Sequence, residues 1–399
     1  MLPRTTLACA AIAIGLAAPA AAQAGAVNGR IAFTSFRDGA LGDIWTVDPD
    51  GSDLRKLTAD PPGAPPLYDA QSDWSPDGRS LAFRRGPNTS TRFGVWRMAA
   101  DGSGRRLLAQ GDPLVPRQNA TQPSWAPDGA SILFRANRPP YPDTDVWTMD
   151  PEGGDQRLLA HLEGEQLYPS YAPDMRRIAY ASAPAGDRAI FTAAPDGSDV
   201  RVVFDAPGVD DSAPNWSPDG TRLAFESAID GDGEIYVIGA DGTGLQQLTD
   251  NDVHDEGPSW SPDGRRIVFT SGPDNLNGDV VVMNADGTER MQITASPGRD
   301  ESPDWQPVPH EGDATACGDV AHDGAGPYSV KAGGSWPDCD RAHRLAARWA
   351  ARAERGRPVR IVGGFVCRAR DAGDGAQLVG CRHLSGRRTA VWLWRGTAA

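Results

Sequence analysis

One short phrase, Pro-x-Trp-Ser-Pro-Asp-Gly, returns along the chain with small variations: at 72–78, 123–129, 169–175, 214–220 and 258–264, and in truncated form at 303–307. Its aromatic anchors, Trp74, Trp125, Tyr171, Trp216, Trp260 and Trp305, stand 51, 46, 45, 44 and 45 residues apart. A period of that length marks a repeat architecture, in which each unit is too small to bury its own apolar face and must stack on its neighbours.

Within a unit the same elements recur. The anchor segment runs into a Pro-Asp-Gly turn. An alternating strand follows, as at 222–227, with apolar residues at every second position. After a variable loop comes a β-rich segment carrying Trp45, Trp96, Trp147, Phe191 or Tyr236, whose equivalent positions predict packing between units. An Asp-Gly turn, as at Asp241-Gly242, leads to a last short strand. Four short antiparallel strands per repeat make one blade of a β-propeller. Residues 30–58 lack an anchor strand, and 303–308 lack everything after one, so the two ends predict one shared blade. The expected fold is an all-β, six-bladed propeller over 27–309, closed by pairing its C-terminal strand with its N-terminal unit, which leaves no open edge.

The pattern P-x-W-S-P-D-G … I-A-F … D-I-Y-V … D-G … Q-L-T resembles the WD-repeat-like propeller of the TolB family over residues 29–308. The resemblance implies a periplasmic scaffold that binds protein partners through its propeller. It is specific for the fold and much weaker for the task, because propellers host many functions.

In propellers of this type the loop before the anchor strand faces the mouth of the central channel. Five residues before the anchors stand Asp69, Ala120, Gln166, Asp211, Asp255 and Asp300; one further on come Ala70, Thr121, Leu167, Ser212, Glu256 and Glu301. With His254 beside them, Asp69, Gln166, Asp211, Asp255, Glu256, Asp300 and Glu301 predict an acidic binding rim. Two carboxylates ~8 Å apart at an effective dielectric of ~20 repel by roughly 2 kcal/mol. Such a ring recruits something positive: a basic peptide, arginines of a protein partner, or a cation. Capping of turns by the same aspartates is the competing reading.

No cofactor is expected from the motifs, and calcium is the one ion with candidate loops, at 48–53 and 230–234. Neither has the full twelve-residue calcium loop with its terminal Glu. The first recurs in every unit at a hairpin position, as turn chemistry does, whereas the second is an insertion in one unit only. For catalysis, G-x-S-x-G and H-E-x-x-H are both missing. Of the six His, only His161 and His254 fall inside the repeats, so a hydrolase or lyase built on His254 and Asp255 is the alternative to a binding scaffold.

Residues 1–24 read as a secretory signal peptide: Arg4, a short apolar run over 7–18, and small residues around a cleavage site at 20–24. That run is too short to span a bilayer comfortably, and no later segment does better. The expected location is secreted or periplasmic. The formal net charge of -14 argues against a nucleic-acid partner. Charge divides unevenly, with 25 Lys and Arg against 44 Asp and Glu before residue 310 and 14 against 9 from there on. Residues 310–399 predict a small α+β module with an Arg-faced helix over 340–356, which could meet an anionic cell-envelope polymer. Cys317, Cys339, Cys367 and Cys381 predict two disulfides there, with all three pairings open and Cys367 with Cys381 mildly favoured across a hairpin.

Overall fold

The computed structural model describes residues 27–308 except positions 40, 61, 62, 64, 88–91, 111–118, 139–143, 162, 163, 185, 275 and 276, together with the backbone of five further strands between 315 and 394. Each repeat folds into a four-stranded antiparallel sheet. Blade 1 is Tyr68–Trp74, Ser80–Gly86, Gly94–Ala99 and Arg106–Gln110. Blades 2 to 5 open with the strands Ala120–Trp125, Gln166–Tyr171, Asp211–Trp216 and His254–Trp260. Blade 6 joins the two ends of the ring: Asp300–Val308 pairs with Val27–Ser35, placing Ile31 opposite Trp305 and Ser35 opposite Asp300. The opening strands touch one another in an unbroken circuit, the last against Tyr68–Trp74, so they are the inner strands around the channel. Outer edges are kept short, as in the two-residue strands Arg55–Lys56, Gln246–Gln247 and Met291–Gln292.

The Pro-Asp-Gly phrase is a self-capped turn. The Ser75 hydroxyl and the Arg79 N–H both donate to Asp77 Oδ1, at 2.6 and 3.1 Å. Gly78 takes φ +63°, and a Cβ there would come within 2.1 Å of the Pro307 carbonyl oxygen. The aromatic anchors and their neighbours form six apolar seams, each shared by two blades. One gathers Leu167 and Ile190 of blade 3 with Trp216, Leu223 and Phe225 of blade 4. Trp45, Trp96, Trp147, Phe191 and Tyr236 all pack in such seams, the inter-blade role predicted for them. Polar staples run around the ring as well: the Trp125 N–H donates to Asp73 Oδ2 at 2.6 Å, Trp74 N–H to Asp304 Oδ2 at 2.8 Å, and Trp260 N–H to Asn215 Oδ1 at 3.0 Å.

Every inner strand carries a bulge. Gln71, Gln122, Tyr168, Ala213, Gly257 and Ser302 have φ between 49° and 60°, and the pairing with the next strand slips there in blades 1 to 5 and beside it in blade 6. Five of the six are not glycine, at a strain of order 1–2 kcal/mol each. Bulges re-aim side chains and concentrate near functional sites. Here they separate the anchor half of each strand from the half at the channel mouth.

Beyond the ring, five strands form one sheet in which Cys367 lies directly opposite Cys381 in an antiparallel pair. The signal peptide expected over 1–24, Cys339 and the expected helix over 340–356 lie outside the described residues.

Candidate functional site

The inner strands begin five or six residues before each anchor, so the segment read from sequence as a loop is itself strand. Side chains there alternate between two faces. Residues five before the anchor point away from the channel into the seams: Asp69, Gln166, Asp211, Asp255 and Asp300 are all 0–1% exposed. This corrects the expected acidic rim. Asp69 pairs with Arg85 at 2.6 Å and Asp300 with Arg37 at 2.7 Å. The Asn251 amide donates to Asp255 Oδ2 at 2.8 Å, and the Ala206 N–H to Asp211 Oδ2 at 3.1 Å. Burial pushes Asp69 up to about 7 against the pull of Arg85, and Asp211 up to about 6.

Residues six and four before the anchor share the other face, which looks into the mouth. Of the expected rim, His254, Glu256 and Glu301 stand here, half-buried. They belong to a chain of polar contacts running through four blades. His254 Nε2 lies 3.5 Å from Glu226 Oε1 and 3.4 Å from Glu256 Oε2. Arg299 pairs with Glu256 and, at 3.0 Å, with Glu301. The Tyr68 hydroxyl donates to Glu301 Oε1 at 3.2 Å, and the Arg84 guanidinium sits 4.5 Å above the Tyr68 ring.

Opposite these glutamates the sign of the mouth changes. Arg84 and Arg135 stand on the second strands of blades 1 and 2, across from Ala70 and Thr121, while Glu226 stands at the same place in blade 4 across from Ser212. Arg188 of blade 3 pairs with Asp210 at 2.7 Å. The Nε atoms of Arg84, Arg135 and Arg188 are buried without a hydrogen-bond partner. Tyr168, at the bulge of blade 3, is 37% exposed. Burial and the charges of Glu226 and Glu256 raise its phenol, while Arg188 and Arg135 pull it down, so groups of four blades converge on it. The mouth therefore gathers Arg84, Arg135 and Arg188 on blades 1–3, with Glu165 3.7 Å from Arg135, and Glu226, Glu256 and Glu301 on blades 4–6, with Arg299 among them.

Proton affinities follow that arrangement. Burial, then Glu256, push Glu226 up to about 7. Burial also acts on Glu256, but His254 and Arg299 outweigh it and bring that carboxyl below its usual range. Glu256 raises the His254 imidazole against its own burial, with Glu226 adding to the effect. The Gly233 N–H donates to His254 Nδ1 at 3.2 Å, which aims Nε2 at the two glutamates. His254 and Asp255 occupy opposite faces of their strand, so the acid–base pair considered from sequence is not brought together.

Among the described residues two groups converge closely enough to hold a metal ion: Glu226, His254 and Glu256 at the mouth, and Asp230, Asp232 and Glu234 beside the seam of blades 4 and 5, each with ligand atoms within 4.8 Å of one another. The 48–53 loop is engaged otherwise: Asp50 Oδ1 accepts the Ser52 N–H and hydroxyl at 2.9 and 2.6 Å. Counting back to the sixth residue before each anchor picks out Tyr68, His254 and Arg299 from sequence, but nothing local marks Arg84, Arg135 or Glu226, which reach the mouth from a different strand.

Known proteins share this architecture. The family described as the TolB beta propeller domain matches residues 141–307. The chain is 29% identical over 135 residues to an uncharacterised protein of Agrobacterium fabrum, covering 33% of this chain and 42% of that one. It is 27% identical over 146 residues to the Tol-Pal system protein TolB of Nitratidesulfovibrio vulgaris, covering 36% of this chain and 29% of that one. The matches thus span less than half the length of either relative. The crystal structure of TolB from Acinetobacter baumannii superimposes with a TM-score of 0.59 at 20% identity, over 70% of this chain and 66% of that one.

Proposed function

On the premise that the ring is a TolB-like six-bladed propeller, we propose that this chain is an extracytoplasmic binding scaffold whose channel mouth takes a segment of a protein or peptide partner. The observation that carries the reading is the division of the mouth by sign. Arg84, Arg135 and Arg188 offer donors on one side, Glu226, Glu256 and Glu301 offer acceptors on the other, and Tyr168 lies between as an amphipathic platform. A partner segment carrying both charges fits it better than the purely basic ligand an acidic rim would select, because a like charge set against either side costs several kcal/mol. Apolar residues 7–18, read as part of a signal peptide, support a secreted or periplasmic location. Among the described residues no helix is long and apolar enough to cross a membrane.

The test is a cross-linking capture from the producing cell's envelope and medium, using the full chain beside Arg135→Ala, Glu226→Gln and the seam variant Asp211→Asn. Truncating one partner of a close interfacial charge pair costs about 2–5 kcal/mol, or roughly 30- to 4,000-fold in affinity. A partner held by the parent and by Asp211→Asn but lost from both mouth variants supports the proposal. Identical capture by all four proteins removes the mouth from consideration and moves the search to residues 310–399.

A further inference from the structure

The seams between blades repeat one acidic arrangement. In four of the six seams a carboxylate at the start of a third strand, Asp43, Asp145, Glu234 or Asp279, lies near the residue five before the next anchor, and in three of those four a basic side chain accompanies them. Lys56 pairs with Asp43 at 2.6 Å and Arg85 with Asp69 at 2.6 Å. Arg37 pairs with Asp300 at 2.7 Å beside Asp279, and His161 lies 2.8 Å from Asp145. The corresponding residues between blades 4 and 5 are Glu234 and Asp255, at 0% and 1% exposure. Among the described residues neither has a cationic partner.

Asn251 occupies one oxygen of each, its N–H donating to Glu234 Oε1 and its side-chain amide to Asp255 Oδ2, both at 2.8 Å. Glu234 Oε2 and Asp255 Oδ1 are left buried with no hydrogen-bond partner. The chain then adds negative charge where those three seams add a basic side chain; the seam of blades 3 and 4, where Asp211 has no cationic partner among the described residues, has no carboxylate at the start of its third strand. The insertion at 230–234 brings carboxylate oxygens of Asp230 and Asp232 within 4.8 Å of one from Glu234 and of each other. Sealed carboxylates in such a group are retained when they are paired or coordinate a metal.

We propose that Asp230, Asp232 and Glu234 bind one calcium ion, with Asp255 supplying further charge from the next blade. The donor set is oxygen only, which suits a hard cation rather than zinc or copper. Calcium accepts irregular carboxylate geometry, whereas magnesium demands a tight octahedron and keeps its waters. The ion also has a route to the mouth. Gly233, between two of the ligands, donates its N–H to His254 Nδ1, and a Cβ on it would meet the imidazole at 2.3 Å. Calcium on this loop holds in place the backbone that orients His254.

The experiment uses the full chain stripped with EDTA, its melting temperature and calorimetric titration being followed in ~1 mM calcium chloride or magnesium chloride, the range in which extracellular calcium modules bind. One calcium per chain and a rise in melting temperature of a few degrees, with no matching response to magnesium, are expected. Asp232→Asn, on the partly exposed part of the loop, weakens calcium at least about tenfold, the factor that 1.4 kcal/mol represents. Glu234→Gln abolishes the response without lowering the melting temperature in EDTA. Glu226→Gln, in the mouth group with His254, leaves the response intact. The proposal is overturned by no calcium response in the parent, by a response that survives both Asp232→Asn and Glu234→Gln, by an equal magnesium response, or by loss with Glu226→Gln alone, which would place the ion at the mouth.

Discussion

Among the described residues the buried carboxylate of Asp211 has no counter-ion, and replacing it with Asn should make the protein more stable in a pH-dependent way. Its side chain is 0% exposed, Oδ1 has no hydrogen-bond partner, and burial, with Asp205 and Asp210 nearby, pushes it up to about 6 from an ordinary 3.8. The native state thus holds its proton more tightly than the unfolded chain. Stability from this group is complete below the unfolded value and is lost as pH rises through about 6. Roughly two pKa units at 1.36 kcal/mol each give about 3 kcal/mol, of which about 2 falls between pH 4.5 and pH 8. Asn can still accept the Ala206 N–H, and its amide has the otherwise unpartnered Ser227 hydroxyl beside it as an acceptor. Blade 3 already carries neutral Gln166 at the same place, buried to 0% exposure. Denaturant unfolding of parent and Asp211→Asn at the two pH values is the assay. The variant should gain about 2 kcal/mol more over the parent at pH 8 than at pH 4.5. An equal effect at both pH values, or a loss at pH 8, would refute the claim that the ionised form is the strained one.

A further seam and a turn give sharp expectations. Arg85 lies between Asp69 and Asp60 at 2.6 and 2.5 Å, so Arg85→Met should cost about 3–5 kcal/mol at pH 8 by leaving the buried Asp69 without its cation, to be carried unpaired or to take up a proton. Adding Asp69→Asn should recover most of that loss, and a double variant as unstable as the single one would sink the argument. In blade 3 the turn glycine is replaced by Met175, held at φ 59°, where Gly78, Gly129, Gly220 and Gly264 stand at 63–70° in other blades. Met175→Gly removes a left-handed strain of about 1–2 kcal/mol and adds unfolded-chain entropy of about 0.4–1 kcal/mol, a small net gain in thermal unfolding; a drop in melting temperature would count against a strained turn.

The architecture was legible in the residues themselves because a repeat states its own geometry. The anchors from Trp74 to Trp305 number the blades, and the split unit at 30–58 and 303–308 tells how the ring closes, as the pairing of Ile31 with Trp305 shows. The site was legible only in part. His254, Glu256 and Glu301 were identified as mouth residues, whereas Asp69, Gln166, Asp211, Asp255 and Asp300 were placed one residue out of phase. A strand has a period of two, so an error of one in where it faces exchanges its solvent side for its core. Local pattern could not settle that phase, because the bulges at Gln71, Gln122, Tyr168, Ala213, Gly257 and Ser302 reset it within each inner strand. Tertiary structure alone decided the electrostatics of the mouth. Arg84, Arg135 and Glu226 lie in ordinary alternating strands of separate repeats, and only closure of the ring sets their charges against one another across a single channel.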